Sequence, residues 1–370
     1  ILIQFGGLGI ITFTTIYLAL PSRRLSLTDS KIIKQYYLDE VETKPTYIIR
    51  QIVTMTLIFE ITGAVLLFIG FYPDLGKNTL FFSIFHAISA FCNAGFSTFS
   101  NNLENYVHNP LVCITIMSLI VLGGLGFVTL RDLIKKSTNR KRRLTVHTKL
   151  MVIFTSFLII SAASLFFILE SNNAVSQLNS GEKILACFFQ AVTPRTAGFN
   201  TIVQSKLTDP SKLATITLMF IGGGSASTAG GVKVSTFFLV IMSLWIVKRR
   251  GDMLLFKKRI PMQTVFKAAM FLLKALSIIF VSIFILCITE LVISPGEHKH
   301  VLNIVFEAFS AFGTVGLSLG VTPNLSGLGK MVIILTMFAG RVGLISMAMA
   351  PDRKKIEQLI EYPDGEVLIG

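Results

Sequence analysis

Asn93-Ala94-Gly95-Phe96-Ser97, Thr196-Ala197-Gly198-Phe199-Asn200 and Thr314-Val315-Gly316-Leu317-Ser318 are three glycine-centred stretches in one chain of 370 residues. Each follows a short apolar, aromatic run, and each precedes a long apolar run with its own glycine cluster. Glycine supplies unusual backbone angles and lets the main chain approach an ion closely. The layout therefore predicts a repeated membrane pore in which backbone carbonyls replace an ion's water shell. A single glycine of this kind reads as a site of close helix packing; three in register do not.

The bulk composition agrees. Charged residues are 15% and hydrophobic residues 52% of the chain, and the mean hydropathy is +0.70. A soluble domain carries about 25% charged residues, so this surface is expected to face lipid. The formal charge of +14 does not point to nucleic acid, because Lys and Arg cluster between apolar runs, where they set topology and touch anionic lipid. Cys92, Cys113, Cys187 and Cys287 lie in apolar runs without Cys-x-x-Cys spacing and read as core residues. The histidines show no metal-ligand spacing. Ile1 opens the chain inside an apolar run, which reads as a start that is missing.

A bilayer crossing takes about 20 residues. Stretches of that length are 1–20, 47–70, 110–130, 149–169, 275–293 and 328–350. A seventh, 211–247, is broken at Gly222-Gly223-Gly224-Ser225-Ala226-Ser227-Thr228-Ala229-Gly230-Gly231. Three apolar pieces, 79–92, 181–192 and 301–312, are too short to cross and suit re-entrant half-helices surrounded by protein. Segments 21–46, 131–149 and 248–267 are rich in Lys and Arg, whereas 71–109 holds only Lys77 and 294–326 only Lys299. The positive-inside rule then puts the rich segments in the cytoplasm, so each half-helix enters from outside.

The filter glycines at 95, 198 and 316 are 103 and 118 residues apart, and glycine clusters follow them at offsets of 28, 24 and 24. A fourth cluster, Gly6-Gly7-Leu8-Gly9, matches Gly123-Gly124-Leu125-Gly126. The expected organisation is the last span of a truncated first repeat (1–20), then repeats at 47–130, 149–247 and 263–350, and a cytoplasmic tail at 351–370.

Carboxylates would hold a bare cation too tightly for release, whereas loop carbonyls allow both entry and exit. The expected filter is Asn93, Ala94, Gly95 and Phe96; Thr196, Ala197, Gly198 and Phe199; and Thr314, Val315, Gly316 and Leu317. The break at 222–231 cannot hold a helix in lipid unless it packs on protein or lines water. It is no phosphate-binding loop, since Gly231-Val232-Lys233 lacks the Gly-Lys-Ser/Thr order; its bland reading is a kinked, small-residue helix. Arg341 lies deep in an apolar span, where a charge costs roughly 2.5 kcal/mol or more. It should face a wet pore or pair with Glu60 or Glu307. Arg195 reads either as a hydrogen-bonding brace for its filter or as an exposed mouth residue. Glu170 and Glu290 fall at outer span ends and read as solvated.

The filter stretches, the Gly-Gly-Leu-Gly spans, the break with its Lys233, the Phe338-Ala339-Gly340-Arg341-Val342-Gly343 span and the Tyr362-Pro363…Leu368-Ile369-Gly370 tail resemble the Trk/Ktr/HKT superfamily of potassium transporters. The likeness is strongest to the membrane subunit of the bacterial Ktr system. It implies an all-α membrane protein of helix–pore loop–helix units around a pseudo-fourfold ion pore, with the first unit truncated here. It further implies a homodimer in the bacterial inner membrane, in contact with lipid and with a cytosolic ring of nucleotide-binding regulatory subunits. By the same likeness 222–231 is a gating loop with Lys233 at its edge, Arg341 is a positive barrier below the filter, and the tail reaches the dimer partner. The basic loop 131–149 either docks the regulatory partner or anchors on anionic lipid.

The transported ion is then K+, with no covalent cofactor and no enzyme chemistry: no His-Glu-x-x-His, phosphate loop or Ser/His/Asp set stands out. The alternatives are a Na+-permeable relative, a secondary transporter with broken helices and a non-conducting protein derived from the pore fold.

Overall fold

The structure, a computed structural model, describes residues 2–7, 45–246, 253–256, 258–293 and 300–343. Most of span 1–20 and of segment 21–46, the end of span 328–350 and the tail 351–370 fall outside the described residues.

Three units of span, half-helix, filter loop and second span follow one another. The first has α1 (Pro45–Leu75), the half-helix α2 (Thr79–Phe91) and α3 (Pro110–Leu125), followed by α4 (Phe127–Thr138). The second has α5 (Val146–Glu170), the half-helix α6 (Ser180–Val192) and a broken second span, α7 (Asp209–Phe220) and α8 (Val234–Ile246). A two-stranded antiparallel hairpin, β1 (Met253–Leu255) and β2 (Lys258–Ile260), precedes the third unit. That unit has α9 (Met262–Cys287) with a π-helical turn over Ile288–Ile293, the half-helix α10 (Val301–Gly313), and α11 (Gly327–Phe338) with a π-helical turn over Ala339–Gly343.

Among the described residues, three helical stretches are long and apolar enough to cross a membrane: Ile49–Phe91, Val146–Glu170 and Met262–Ile293. Their outer faces expose apolar side chains, including Ile58, Ile61 and Ile69 on α1, Phe157 and Ile168 on α5, and Phe280 and Phe284 on α9. An apolar surface of this kind suits contact with lipid rather than water. Inside, aromatic rings fill the space behind the half-helices. Phe71 meets His86, Phe99 and Tyr106 edge-on at centroid distances of 5.5, 5.5 and 4.8 Å.

Two elements differ from the sequence reading. The span read as 110–130 ends at Gly126, where φ is +88°, and α4 leaves α3 at 103°. After the turn α4 is amphipathic: Phe127, Thr129, Leu130 and Asp132 are buried, while Arg131, Lys135 and Lys136 are only partly so. The second difference is the hairpin at 253–260, invisible in hydropathy because each strand has only three residues.

Glu170 and Glu290 correct a third expectation. Both are buried, at 1% and 0% exposure. Glu170 Oε1 accepts from the Thr208 amide at 2.9 Å and hydroxyl at 2.7 Å, and Thr208 caps α7. Glu290 Oε1 accepts from the Ser326 amide at 3.2 Å and hydroxyl at 2.5 Å, and Ser326 caps α11. In the first unit Asn109 caps α3, and its amide nitrogen donates to Gly70 O at 3.0 Å. Each unit thus ties the start of its second span to the end of its first, satisfying donors that lipid could not. Glu170→Ala removes an acceptor of two such bonds and is expected to lower stability by about 1–3 kcal/mol, read as a lowered unfolding midpoint of the protein in detergent; an unchanged midpoint would contradict this role.

Candidate ion pathway

Each half-helix delivers a filter stretch at its C-terminus by the same device. The Ala94, Ala197 and Val315 amides turn back to Ser89 O, Thr193 O and Ser310 O at 2.8, 3.0 and 2.9 Å. The first residue of each stretch has positive φ: Asn93 at 50°, Thr196 at 69° and Thr314 at 51°. Gly95, Gly198 and Gly316 follow at 71°, 78° and 88°. The sign of φ therefore alternates, which turns successive carbonyls to the same side. For the β-branched threonines this conformation is strained, at about 1–3 kcal/mol.

The three stretches converge. A Cβ built on Gly95 would strike the Ala197 carbonyl oxygen, and one on Gly198 the Val315 carbonyl oxygen. A Cβ on Gly198 would lie 3.3 Å from Gly95 Cα, and one on Gly316 would lie 3.8 Å from Gly198 Cα. At Gly95 and Gly198 glycine is required by space as well as by angle; at Gly316 the angle alone requires it. Among the described residues, no hydrogen bond is donated to the carbonyls of 93–95, 196–198 or 314–316.

The outer residue of each stretch is different. The Ser89 hydroxyl donates to Phe96 O at 2.7 Å, the Ser310 hydroxyl to Leu317 O at 2.7 Å, and the Thr193 hydroxyl to Phe199 O. Phe96, Phe199 and Leu317 are therefore held from behind by their own half-helices. One position further out, His86 Nε2 meets Ser97 Oγ at 3.0 Å, while Glu307 accepts from Ser318 and, at 2.9 Å, from Thr322. His86 and Glu307 each stand nine residues before their filter glycine, so two unlike side chains brace equivalent points. Arg195 is buried, not an exposed mouth residue, and its Nη2 donates to Thr155 Oγ1 on α5 at 3.2 Å.

The break at 222–231 is neither a kinked helix nor a slack linker. Its ends are pinched together: Gly222 N donates to Val232 O at 2.9 Å, Val234 N to Gly223 O at 3.0 Å, and Ile221 bridges Val232. The loop between is held by the first unit. Gly224 N donates to Gly124 O at 2.7 Å, and Phe127 N to Ala226 O at 3.0 Å. The Ser227 hydroxyl caps Gly224 O at 2.7 Å, Ser225 and Ser235 hydroxyls meet at 3.0 Å, and Lys233 Nζ folds back onto Ala229 O at 2.7 Å. On the far side Gly230 lies against the third unit, where a Cβ would strike the Thr314 hydroxyl and approach Gly313 O to 2.7 Å.

Thr228 is the centre of this arrangement, and nothing in the sequence distinguishes it from its neighbours. Its hydroxyl lies 3.2 Å from Phe91 O and 3.3 Å from Gly123 O, and it receives Asn93 Nδ2 at 3.1 Å. Its carbonyl accepts from Arg341 Nη1 at 2.7 Å. Arg341 stands in the π-helical turn of the third unit, and its Nη2 reaches Gly6 O at 3.2 Å. The carboxylate partners considered for it are engaged elsewhere. Glu60 Oε2 accepts from Gln4 Nε2 at 2.7 Å, and Glu307 is taken up by Ser318 and Thr322. Carbonyls, rather than a carboxylate, answer the half-buried guanidinium.

The family model described as TrkH, cation transport protein, matches residues 1–358. The chain belongs to this family. It is accordingly a membrane transport protein and not an enzyme. The chain is 37% identical to the Ktr system potassium uptake protein B of Vibrio alginolyticus, over all of this chain and 80% of that one. It is 39% identical to the protein of the same name from Bacillus subtilis, over all of this chain and 82% of that one. The potassium/sodium uptake protein NtpJ of Enterococcus hirae is 33% identical, again over the whole chain and 82% of the relative. The crystal structure of the potassium transporter TrkH from Vibrio parahaemolyticus superposes with a TM-score of 0.71 at 18% identity, over 95% of this chain and 71% of that one. That likeness establishes a shared fold.

Removing the rear tether of one filter stretch should loosen it. Ser310→Ala is expected to speed hydrogen–deuterium exchange across 314–318 by about fivefold, for a bond worth ~1 kcal/mol. Unaltered exchange there would mean that the Leu317 carbonyl is held by other contacts.

Proposed function

We propose that this chain is the pore-forming membrane subunit of a potassium uptake system, with ions moving down their electrochemical gradient through the filter stretches at 93–96, 196–199 and 314–317. The observation that carries the reading is the convergence of Gly95, Gly198 and Gly316 above a pinched glycine-rich loop. Neutral carbonyls left without donors supply the weak, replaceable ligands a large monovalent cation needs. The names of the relatives at 37% and 39% identity support the choice of potassium.

The loop 222–231 is the gate, held shut by the Arg341 bond to Thr228 O and by its bonds to the α3–α4 corner. A positive charge under the filter also opposes cations electrostatically, so Arg341 acts twice: as a barrier and as the loop's anchor. The chain works as a homodimer in a bacterial cell membrane with a cytosolic, nucleotide-binding regulatory ring. The basic residues of 131–149, which follow the α3–α4 corner, face that side. Asp132 gives the corner its shape, accepting from the Thr145 amide at 2.9 Å and hydroxyl at 3.1 Å. The relative named for both potassium and sodium favours a second reading, a sodium-permeable transporter of the same family. Glycine at all three described filters supports potassium instead.

The test is uptake at limiting external potassium in cells lacking their own uptake systems, with Gly198 native or replaced by Asp. Loss with Gly198→Asp, while the protein still reaches the membrane, is the expected result. Equal uptake from both would remove the ion path from this filter; sodium uptake in place of potassium would favour the second reading. Arg341→Ala should raise basal flux several-fold. Unchanged flux with a lowered unfolding temperature would leave Arg341 a structural anchor only.

A further inference from the structure

The hairpin 253–260 has no part in the ion pathway, and its composition is unlike that of a solvated turn. Met253 and Leu255 are buried, and Leu255 joins the core that holds Leu150 and Met151 of α5 and Phe238 of α8. The outer side mixes apolar and basic residues. Leu254 pairs with Arg259 across the ladder, so the two share a face, and both are exposed. Lys258 beside them is exposed as well. At the turn, Phe256 holds φ at +49°, an angle that suits Gly or Asn and penalises a bulky side chain. Phe256 is exposed, and Lys149 Nζ stands 5.9 Å from its ring centroid. Backbone demand would select glycine here, so the ring itself needs an explanation.

Two lipid-facing stripes begin at this point. On α5, Lys149, Ile153, Phe157 and Ile160 follow at helical spacing, and the three apolar residues are exposed. On α9, Met262, Phe266, Met270 and Leu273 repeat that spacing, all exposed, with exposed Lys267 and Lys274 alongside. The stretch Met262–Ile293 has 32 residues, about 48 Å at 1.5 Å per residue, whereas the hydrocarbon layer is about 30 Å thick. Its far end is tied down by the Glu290–Ser326 bond. About 12 residues at the start of α9 therefore stand in the headgroup layer or beyond it. The hairpin is thereby set against the headgroups, at the depth where aromatic and basic side chains gather. The charge there has one sign: positions 133–169 and 253–289 contain no Asp or Glu.

We propose that the hairpin 253–260, with Lys149 and Lys267, is a binding site for an anionic phospholipid. Lys258, Arg259 and Lys267 meet the phosphate, while Leu254 and Phe256 lie against the acyl boundary. A soluble acidic partner would answer the charges but not the apolar residues between them. Lipid answers both, and the patch is continuous with the faces of α5 and α9 that lipid covers. The site is independent of which ion the chain carries.

The test uses the full chain in neutral detergent, following its unfolding temperature as phosphatidylglycerol or phosphatidylcholine is added in mixed micelles. Phosphatidylglycerol is expected to stabilise the parent and phosphatidylcholine not, with the effect weakened by salt. Lys258→Glu with Arg259→Glu should lower the phosphatidylglycerol affinity on the order of tenfold or more. Lys77→Glu with Lys330→Glu makes the same change of charge at the other end of the molecule and should leave that affinity within about twofold. Phe256→Gly relieves the backbone, so it should keep the parent's unfolding temperature without lipid, yet lose affinity by about threefold or more.

Equal stabilisation by the two lipids would overturn the site. So would a phosphatidylglycerol affinity unchanged in either the charge-reversed or the Phe256→Gly protein. If the charge-reversed protein binds phosphatidylglycerol like the parent but no longer holds the regulatory subunit, the surface is a protein contact and the lipid site fails. Should the charge reversal prevent folding, Lys258→Gln with Arg259→Gln carries the same comparison.

Discussion

A carbonyl oxygen that is to meet an ion must be kept from every other donor, and the membrane interior has no water to stand in for the missing bond. That constraint organises the chain. Nine backbone carbonyls at the three converging stretches receive no hydrogen bond from the described residues, while the backbone on either side of them is tethered. The Ser89, Thr193 and Ser310 hydroxyls fasten the outer end of each stretch from the rear. Glu170, Glu290 and Asn109 close the helix starts behind. A bare acceptor is costly in such a setting, and these tethers keep the backbone around it paired.

The repeats meet this constraint with different residues, and the substitutions are informative. His86, whose Nδ1 donates to Phe82 O and whose Nε2 faces Ser97, and Glu307, which accepts from Ser318, brace the same point of two of these stretches with unlike side chains. The cap of α3 reaches a backbone carbonyl, whereas those of α7 and α11 reach a carboxylate. What is maintained from unit to unit is the geometry, namely which backbone atom is held and from which side. Residue identity is free to vary wherever another side chain can supply the same atom.

This explains what could be read from the sequence. Gly95, Gly198 and Gly316 were legible because all three need the angle only glycine takes readily, and the first two need the space as well. The half-helices and the break at 222–231 were legible because length and apolar content decide whether a segment can cross lipid. The partners were not. For Arg341 the sequence offered Glu60 and Glu307, since a carbonyl 113 positions away carries no mark in the chain. Glu170 and Glu290 looked solvated because their distance from a span end says nothing of the cap folded over them. Thr228 was one of ten small residues, and only its four neighbours single it out.

The pinch at the base of the loop has a mechanical consequence. Ile221 and Val232 are bridged, and Gly222 is bonded to Val232 across the neck. A segment whose ends are separately anchored deforms gradually, one torsion at a time, and drags its flanking helices with it. A segment closed at its neck behaves as a hatch on a single hinge: α7 and α8 can stay where they are while the ring between them swings. The contacts that would be broken, to Asn93, Gly124, Phe127 and Arg341, all lie on its rim and would part together. If the loop gates as proposed, this neck favours two resting positions with little between them.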